Sequence, residues 1–139
     1  RMYKFRSMKT GAEKETGAIW ARPKDPRRTA IGRLIRTVSL DELPQLFNVL
    51  AGDMSLVGPR PERPVFVEEF RNKVPDYMLR HKVKAGITGW AQVNGWRGNT
   101  PLENRIECDL YYIEHWSLGF DLKIILMTLW KGIFHKHAY

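Results

Sequence analysis

Two adjacent carboxylic acids, Asp41 and Glu42, are the side chains in this sequence whose type and placement best fit catalysis. Ser39 precedes Glu42 by three residues, which is the capping-box spacing, so both acids are predicted in the first turn of a helix. Acidic residues are common there for structural reasons, because they satisfy free backbone N–H groups and complement the helix dipole. Spacing alone therefore favours a capping role.

Nearby arginines add a chemical interpretation. Arg36 lies just upstream of the two acids, and Arg60 stands between two prolines that fix an extended, rigid turn. Arginine side chains and a helix N-terminus both attract phosphate. A carboxylate kept ionised beside arginines and a magnesium ion can attack phosphorus, as in aspartyl-phosphate enzymes. The sequence therefore predicts a phosphate site beside Asp41 and Glu42.

Lys4 and Arg6 are a second basic candidate. They alternate with Tyr3 and Phe5, so they share one face of a predicted opening strand. Phosphate binding and a solvated strand edge fit this pair about equally well.

Asp109 and two histidines near the C-terminus are weaker candidates. Asp109 falls on a predicted helix, on the face away from its apolar stripe, so a solvated or salt-bridged role is expected. His135 and His137 form an H-x-H pattern without further ligands, which is more typical of a frayed tail than of a metal site.

The elements that must position these residues follow from apolar periodicity, prolines and glycines, which predict a mostly helical chain with a few short strands. Pro44 lacks a backbone donor, so the sequence does not fix the residue at which the helix carrying the two acids begins. The predicted segments are strands at 3–8 and 54–57, a polar loop at 9–28, helices at 29–38, 39–50, 64–71, 75–81, 101–116 and 120–134, and strand or loop at 86–98.

The predicted helix at 120–134 has an unusually wide apolar face. Core packing explains a stripe of leucines and isoleucines, but Ile124 and Met127 widen it, and tryptophan and lysine stand at its rim. A buried core helix and an interfacial membrane helix fit this pattern about equally.

Composition excludes several classes of protein. The 139 residues are 43% hydrophobic, which fits one compact domain, and the net charge of +8 favours anionic ligands such as nucleic acid, phosphorylated metabolites or an acidic membrane. The single cysteine, Cys108, excludes an internal disulfide framework. The longest apolar run, Ile124 to Met127, is far below the ~18 residues of a membrane span. The chain opens without a lead-in turn, as a segment of a longer protein would.

Six stretches in fixed order carry a resemblance to a known family. The chain resembles the bacterial sugar transferases, the polyprenol-phosphate hexose-1-phosphate transferases of the monotopic phosphoglycosyl transferase superfamily. The resemblance covers nearly the whole chain and implies one mostly helical α+β catalytic domain over residues 1–139. The stretches are Lys4–Met8, Ser39–Leu46, Asn48–Leu50, Gly52–Pro61, Gly86–Gly95 and Asp109–Tyr112.

The resemblance implies transfer of a sugar 1-phosphate from a UDP-sugar to undecaprenyl phosphate, with release of UMP. Asp41 matches the nucleophile that forms an aspartyl phosphosugar intermediate, and Glu42 matches the acid that binds Mg²⁺. The family's arginine upstream of the two acids matches Arg36, the arginine of its Pro-Arg-Pro turn matches Arg60, and the aspartate before its paired tyrosines matches Asp109.

The resemblance also implies a location. Family members work at the cytoplasmic face of the bacterial inner membrane and carry a membrane-inserted hairpin before the stretch that matches Lys4–Met8, and no such hairpin is in this sequence. The C-terminal stretch is most similar to members that transfer glucose or galactose 1-phosphate. Self-association as a homo-oligomer is open.

Two other functions compete with this interpretation. A non-catalytic membrane scaffold is disfavoured because both acids and Arg60 are intact. A nucleic-acid-binding module is disfavoured because no nucleic-acid motif accompanies its basic residues, and no nucleic-acid partner is expected. Those residues are Arg22, Lys24, Arg27, Arg28, Arg33 and Arg36.

Overall fold

The computed structural model describes residues 1–14, 17, 19, 25–37, 39–98 and 100–134, with side chains through residue 131. Six α-helices, two 3-10 helices and two short strands make up its regular structure, which confirms the predicted mostly helical α+β class. In chain order these are α1 (Ala30–Thr37), a 3-10 helix (Leu40–Glu42), α2 (Gln45–Leu50), β1 (Ser55–Val57), α3 (Pro64–Arg71), a 3-10 helix (Tyr77–Lys82), β2 (Gly86–Thr88), α4 (Trp90–Val93), α5 (Leu102–Glu114) and α6 (Leu118–Phe134).

The two strands form a parallel pair that fixes the turn carrying Arg60. Ser55 pairs with Gly86 and Val57 with Thr88, and the ladder continues through Gly58, whose N–H donates to the Thr88 carbonyl at 2.9 Å. Gly86 is required here because a Cβ at that position would lie 2.1 Å from the Gly58 nitrogen. The backbone that enters the turn at Pro59 is therefore held by β2.

The hydrophobic core lies where α5 and α6 cover this small sheet. Val57, Val93, Tyr112 and Ile124 are its buried members, and α6 inserts Ile124 with no exposed surface. The Tyr112 hydroxyl donates to Asp121 at 2.8 Å, so the ring is buried without leaving its polar atom unsatisfied. The core thus ties β1 to both long helices.

The N-terminal residues form no strand, so the predicted strand at 3–8 is wrong. Only an isolated bridge between Met8 and Arg28 is present. Distant groups hold the segment instead: the Tyr3 N–H donates to the Asn48 side chain at 2.9 Å, and Ser7 lies against α1. A Cβ on Gly32 would stand 1.9 Å from the Ser7 carbonyl oxygen, so glycine permits this close approach.

The predicted capping box at Ser39 is also wrong. Ser39 has a left-handed backbone (φ 55°) and its side chain makes no capping hydrogen bond. Glu42 lies in a 3-10 helix and turns its carboxylate toward basic groups, while α2 begins only at Gln45, after Pro44. The change in helix type at Pro44 accounts for the shifted start, since proline cannot donate within a continuous helix.

The short helix α2 buries its polar side and exposes its apolar side. Gln45 and Asn48 are almost fully buried, whereas Phe47 and Leu50 are 68% and 83% exposed. An ordinary surface helix has the opposite orientation. Most of the surface of Phe47 and Leu50 is therefore left uncovered by the described part of the chain.

The last helix, α6, divides its wide apolar face between the core and solvent. Ile124 is buried, while other large apolar side chains are exposed. Among the described residues, no helix is both long enough and apolar enough to cross a bilayer. The exposed side chains are Leu118, Leu122, Leu126, Leu129 and Trp130.

The remaining predicted elements differ from the structure mostly at their ends. The helix predicted at 64–71 is confirmed as α3, and those at 101–116 and 120–134 are α5 and α6 with shifted bounds. The helix predicted at 75–81 is the 3-10 helix Tyr77–Lys82, and the short helix α4 was missed within 86–98. Val38, His135, His137, Arg22 and Lys24 lie outside the described residues.

Candidate functional site

The two adjacent acids occupy the 3-10 helix Leu40–Glu42, between α1 and α2. Asp41 is 8% exposed, and its backbone carbonyl accepts a hydrogen bond from the Phe5 N–H at 3.0 Å. That bond places the N-terminal segment directly beside the acids. The helix N-terminus predicted here is a single 3-10 turn, so any attraction for phosphate rests on the neighbouring cations and not on a helix dipole.

Two basic side chains converge on the Glu42 carboxylate. Lys4 Nζ lies 2.8 Å from Oε1, and Arg60 Nη2 lies 2.5 Å from the same oxygen while its Nη1 donates to Oε2 at 3.2 Å. Burial opposes ionisation of this carboxyl, but Arg60 and Lys4 outweigh it and lower the pKa of Glu42 to about 2. Glu42 is therefore an anion at neutral pH that holds two cations in place.

Asp41 has a different electrostatic environment from its neighbour. Burial and the adjacent Glu42 carboxylate raise the pKa of Asp41, and the charges of Lys4 and Arg36 partly offset them. The ion pairs of Lys4 and Arg60 are made with Glu42, which leaves Asp41 as the less stabilised carboxylate. A less stabilised carboxylate is the better nucleophile of the two.

The structure separates Arg6 from Lys4, although the sequence predicted one shared face. Lys4 reaches Glu42, whereas Arg6 lines a surface cavity of about 530 Å³ with Met8 and residues 9–14. Lys4, Arg36 and Arg60 are thus the predicted basic residues that act on the two acids.

Asp109 lies in the interior and, of the two predicted roles, solvated or salt-bridged, has the salt-bridged one. Its side chain is 2% exposed and pairs with Arg80 at 2.7 Å. Arg80 in turn donates to the backbone carbonyl of Arg60 at 2.9 Å. Sequence reasoning missed Arg80, because a lone arginine among other basic residues carries no local signal of burial.

Glu42 offers one suitable ligand for Mg²⁺. This ion prefers hard oxygen ligands and usually takes one or two protein carboxylates, completing its shell with substrate phosphate and water. Glu42 is ionised and 12% exposed, so its donor chemistry fits, although a bound ion would replace at least one contact with Lys4 or Arg60. Among the residues that the structure describes, no cluster of three His, Cys, Asp or Glu side chains could hold a metal alone.

Comparison with known proteins gives a family and several similar relatives. A family model described as "Bacterial sugar transferase" matches residues 1–135. The chain is 52% identical over 143 residues to the UDP-glucose:undecaprenyl-phosphate glucose-1-phosphate transferase of Escherichia coli strain K12, and the match covers 100% of this chain and 31% of that protein. The protein of the same name from Klebsiella pneumoniae is 53% identical, with 100% of this chain and 30% of that protein covered.

A third relative carries a different sugar in its name. The UDP-N-acetylgalactosamine-undecaprenyl-phosphate N-acetylgalactosaminephosphotransferase of Aeromonas hydrophila is 49% identical over 131 residues, which cover 93% of this chain and 31% of that protein. The chain spans less than a third of the length of each of these three relatives.

Proposed function

Because the chain belongs to the bacterial sugar transferase family, we propose that it transfers a sugar 1-phosphate from a UDP-sugar to undecaprenyl phosphate, releasing UMP. The reaction initiates surface polysaccharide synthesis. The observation that carries the proposal is the placement of Asp41, a mostly buried carboxylate, beside a second carboxylate that holds Lys4 and Arg60. The reaction needs such a nucleophile beside cations that receive phosphate.

In the first step, an Asp41 carboxylate oxygen attacks the phosphorus that carries the sugar. The bond from that phosphorus to the bridging oxygen breaks, and UMP leaves with the electron pair. In the second step, a phosphate oxygen of undecaprenyl phosphate attacks the same phosphorus and Asp41 is released. The covalent intermediate lets a soluble donor and a lipid acceptor use the site in turn.

The basic residues make the first attack electrostatically feasible. A carboxylate can approach a diphosphate only when the negative charge of the diphosphate is neutralised. Arg60 can donate two parallel hydrogen bonds to phosphate oxygens, as it does to Glu42. We assign Arg36 and Lys4 to phosphate binding as well, because their charges act on the two acids. Arg60 and Lys4 can exchange their carboxylate partner for the substrate, since both already meet at one anion.

Glu42 is the residue that we assign to Mg²⁺. When bound, the ion would withdraw charge from the diphosphate and stabilise the departing UMP. Glu42 would hold it through its ionised carboxylate, and substrate oxygens and water would complete the coordination shell. Glu42 also positions Arg60 and Lys4 in the absence of substrate.

The exposed apolar side of α6 supports action at a membrane surface. Leu122 and Leu126 are 62% and 66% exposed, and they lie on a helix rimmed by Trp130 and Lys123. Such a face binds the interface of a bilayer, where the phosphate of a lipid acceptor is located. We place the protein at the cytoplasmic face of the bacterial inner membrane, with the nucleotide sugar supplied from the cytosol. Glucose or galactose is the proposed sugar.

The test is UMP release by the full-length protein in vesicles containing undecaprenyl phosphate, across a panel of UDP-sugars. We expect Mg²⁺-dependent, continuous UMP release with one donor. In vesicles without the acceptor, the same donor should give a single burst of about one UMP per protein, because the covalent intermediate accumulates. No UMP with any donor would reject the function, and no burst without acceptor would reject the covalent route.

A further inference from the structure

A buried arginine links Asp109 to the site without itself reaching it. The Arg80 side chain is 1% exposed, yet its guanidinium has a partner for every nitrogen: Nε and Nη2 contact the Asp109 carboxylate at 3.0 and 2.7 Å, and Nη1 donates to the Tyr77 hydroxyl at 3.3 Å. Nη2 also donates to the backbone carbonyl of Arg60 at 2.9 Å. The function proposed above uses neither Arg80 nor Asp109 as a group that touches substrate.

The carbonyl that Arg80 binds belongs to the turn that follows β1. Pro61 follows Arg60 and has no N–H, so the turn cannot form an ordinary ladder of hydrogen bonds there. Pro59 is held through its carbonyl, which accepts from the Gly86 N–H at 2.9 Å. Arg80 supplies the corresponding bond one residue later. Together these two bonds fix the backbone from which the Arg60 side chain extends to Glu42.

We propose that Arg80 is a positioning residue for the transfer reaction: held by Asp109, it binds the Arg60 carbonyl and so aims the Arg60 guanidinium at the two acids. This inference rests on the proposed function and adds the groups that orient its phosphate-binding arginine. Arginine suits the task because its rigid, planar donors can hold a carboxylate, a hydroxyl and a carbonyl at once, whereas a lysine ammonium cannot match those directions.

A second ion pair stabilises the same arrangement. Glu62 follows the turn directly and lies 2.8 Å from Arg105 and 4.0 Å from Arg80. Arg105 in turn donates to the Gly98 carbonyl at 2.8 Å. Two acids and two arginines thus balance one another in the interior, which limits the cost of burying Arg80. Asp109 has the central role because it is the acid in direct contact with Arg80.

The test is a double-mutant cycle on UMP release by the full-length protein. Asp109→Asn keeps the shape of the side chain but removes its charge, and Arg80→Met removes the guanidinium. We expect each to lower kcat/KM by about 100-fold, because a misplacement of about 1 Å costs that much. In an Arg60→Met background, neither change should lower kcat/KM by more than about threefold further. Lys73→Met, which removes an exposed ion pair between Lys73, just after α3, and Glu69, is the matched control and should have no effect.

Additive losses in the Arg60→Met background would overturn the proposal, because they would show that Arg80 or Asp109 acts on the substrate or on the fold independently of Arg60. Failure of both variants to fold, seen as the absence of a cooperative transition in thermal denaturation, would also overturn it, since the pair would then be part of the core alone. An inactive wild-type protein would instead reject the proposed function.

A second measurement needs no activity. The order parameter of the Arg60 Nε–H bond, from ¹⁵N relaxation, should fall in Asp109→Asn, while that of Arg27, which pairs with Asp25 at 2.6 Å, should not change. An unchanged Arg60 order parameter would contradict the positioning role even if the protein lacked transferase activity.

Discussion

Two carboxylate–arginine pairs are linked by the hydrogen bond from Arg80 to the Arg60 carbonyl, and they differ in both exposure and electrostatics. In the Glu42–Arg60 pair the side chains are 12% and 21% exposed, and in the Asp109–Arg80 pair they are 2% and 1% exposed. The pKa of Glu42 is lowered to about 2, whereas burial raises the pKa of Asp109 to about 6 against the effect of Arg80. The same two chemical groups therefore give opposite shifts.

The difference shows that burial and ion pairing give the two pairs different roles. At the partly exposed pair, two cations outweigh the loss of solvent, so Glu42 stays charged and can exchange its partners for a ligand. At the buried pair, desolvation outweighs the pairing, so the carboxylate contributes geometry more than stability. One pair is suited to binding substrate and the other to holding the backbone that presents Arg60.

Within the exposed pair, replacing the arginine should have the larger effect on the rate. Arg60→Lys keeps the charge but loses the two parallel hydrogen bonds, so we expect kcat/KM for UMP release to fall about 100-fold. Arg63→Lys is the control, because Arg63 forms a similar two-bond pair with Glu13 at the surface. Equal activity of Arg60→Lys and wild type would mean that charge alone suffices.

Replacing the acid of the exposed pair should change the metal requirement. Glu42→Gln removes the proposed Mg²⁺ ligand, so the Mg²⁺ concentration for half-maximal UMP release should rise by about tenfold or more. Titrating Mg²⁺ at saturating donor measures this shift. Asp53→Asn, an exposed acid beyond α2, should leave the requirement unchanged. A Glu42→Gln protein that loses rate without any change in Mg²⁺ requirement would assign Glu42 to positioning Arg60 alone.

The buried pair should be detectable by the titration of the Asp109 carboxyl. Asp109 faces Arg80, Arg105 and Glu62, and burial raises its pKa from 3.8 to about 6. A raised carboxyl pKa means that the folded protein holds a proton that the unfolded chain has already lost, so this stabilising contribution is present below pH 4 and is lost as the pH rises through about 6. Carboxyl ¹³C chemical shifts should give a midpoint near 6 for Asp109.

Asp25 provides the internal control for that titration. Its hydrogen bonds to Arg27 hold its pKa well below the usual range, so its ¹³C shift should not change between pH 4 and 7. An Asp109 midpoint below 3.8 would contradict the comparison, because it would show that pairing outweighs burial in the interior as well.

Local signals predicted the parts of the fold that depend on local interactions. Pro64 at the first turn predicted the start of α3, and Gly52, with a positive φ of 81°, ends the turn after α2 as its position suggested. The N-terminal strand and the capping box failed because partners far along the chain decide them. Lys4 and Glu42 are 38 residues apart, and Tyr3 and Asn48 are 45 apart.

The candidate site was predictable to a similar degree. Glu42 and Arg60 were singled out by their residue types and by the prolines around the arginine, and the structure brings them together. The burial of Asp109 was not predictable, because its partner Arg80 lies 29 residues away and a helical stripe cannot show which polar face is covered. The inverted orientation of α2 escaped prediction for the same reason.

The most direct test of the central claim is the mass of the peptide that contains Asp41. Full-length protein treated with the accepted UDP-sugar and Mg²⁺ in the absence of undecaprenyl phosphate should gain the mass of one sugar phosphate, located on Asp41, and should lose it when the lipid is added. Asp41→Asn should show neither the adduct nor turnover, with a loss of at least about 10⁴-fold. An adduct on any other residue, or rapid UMP release by Asp41→Asn, would contradict Asp41 as the nucleophile.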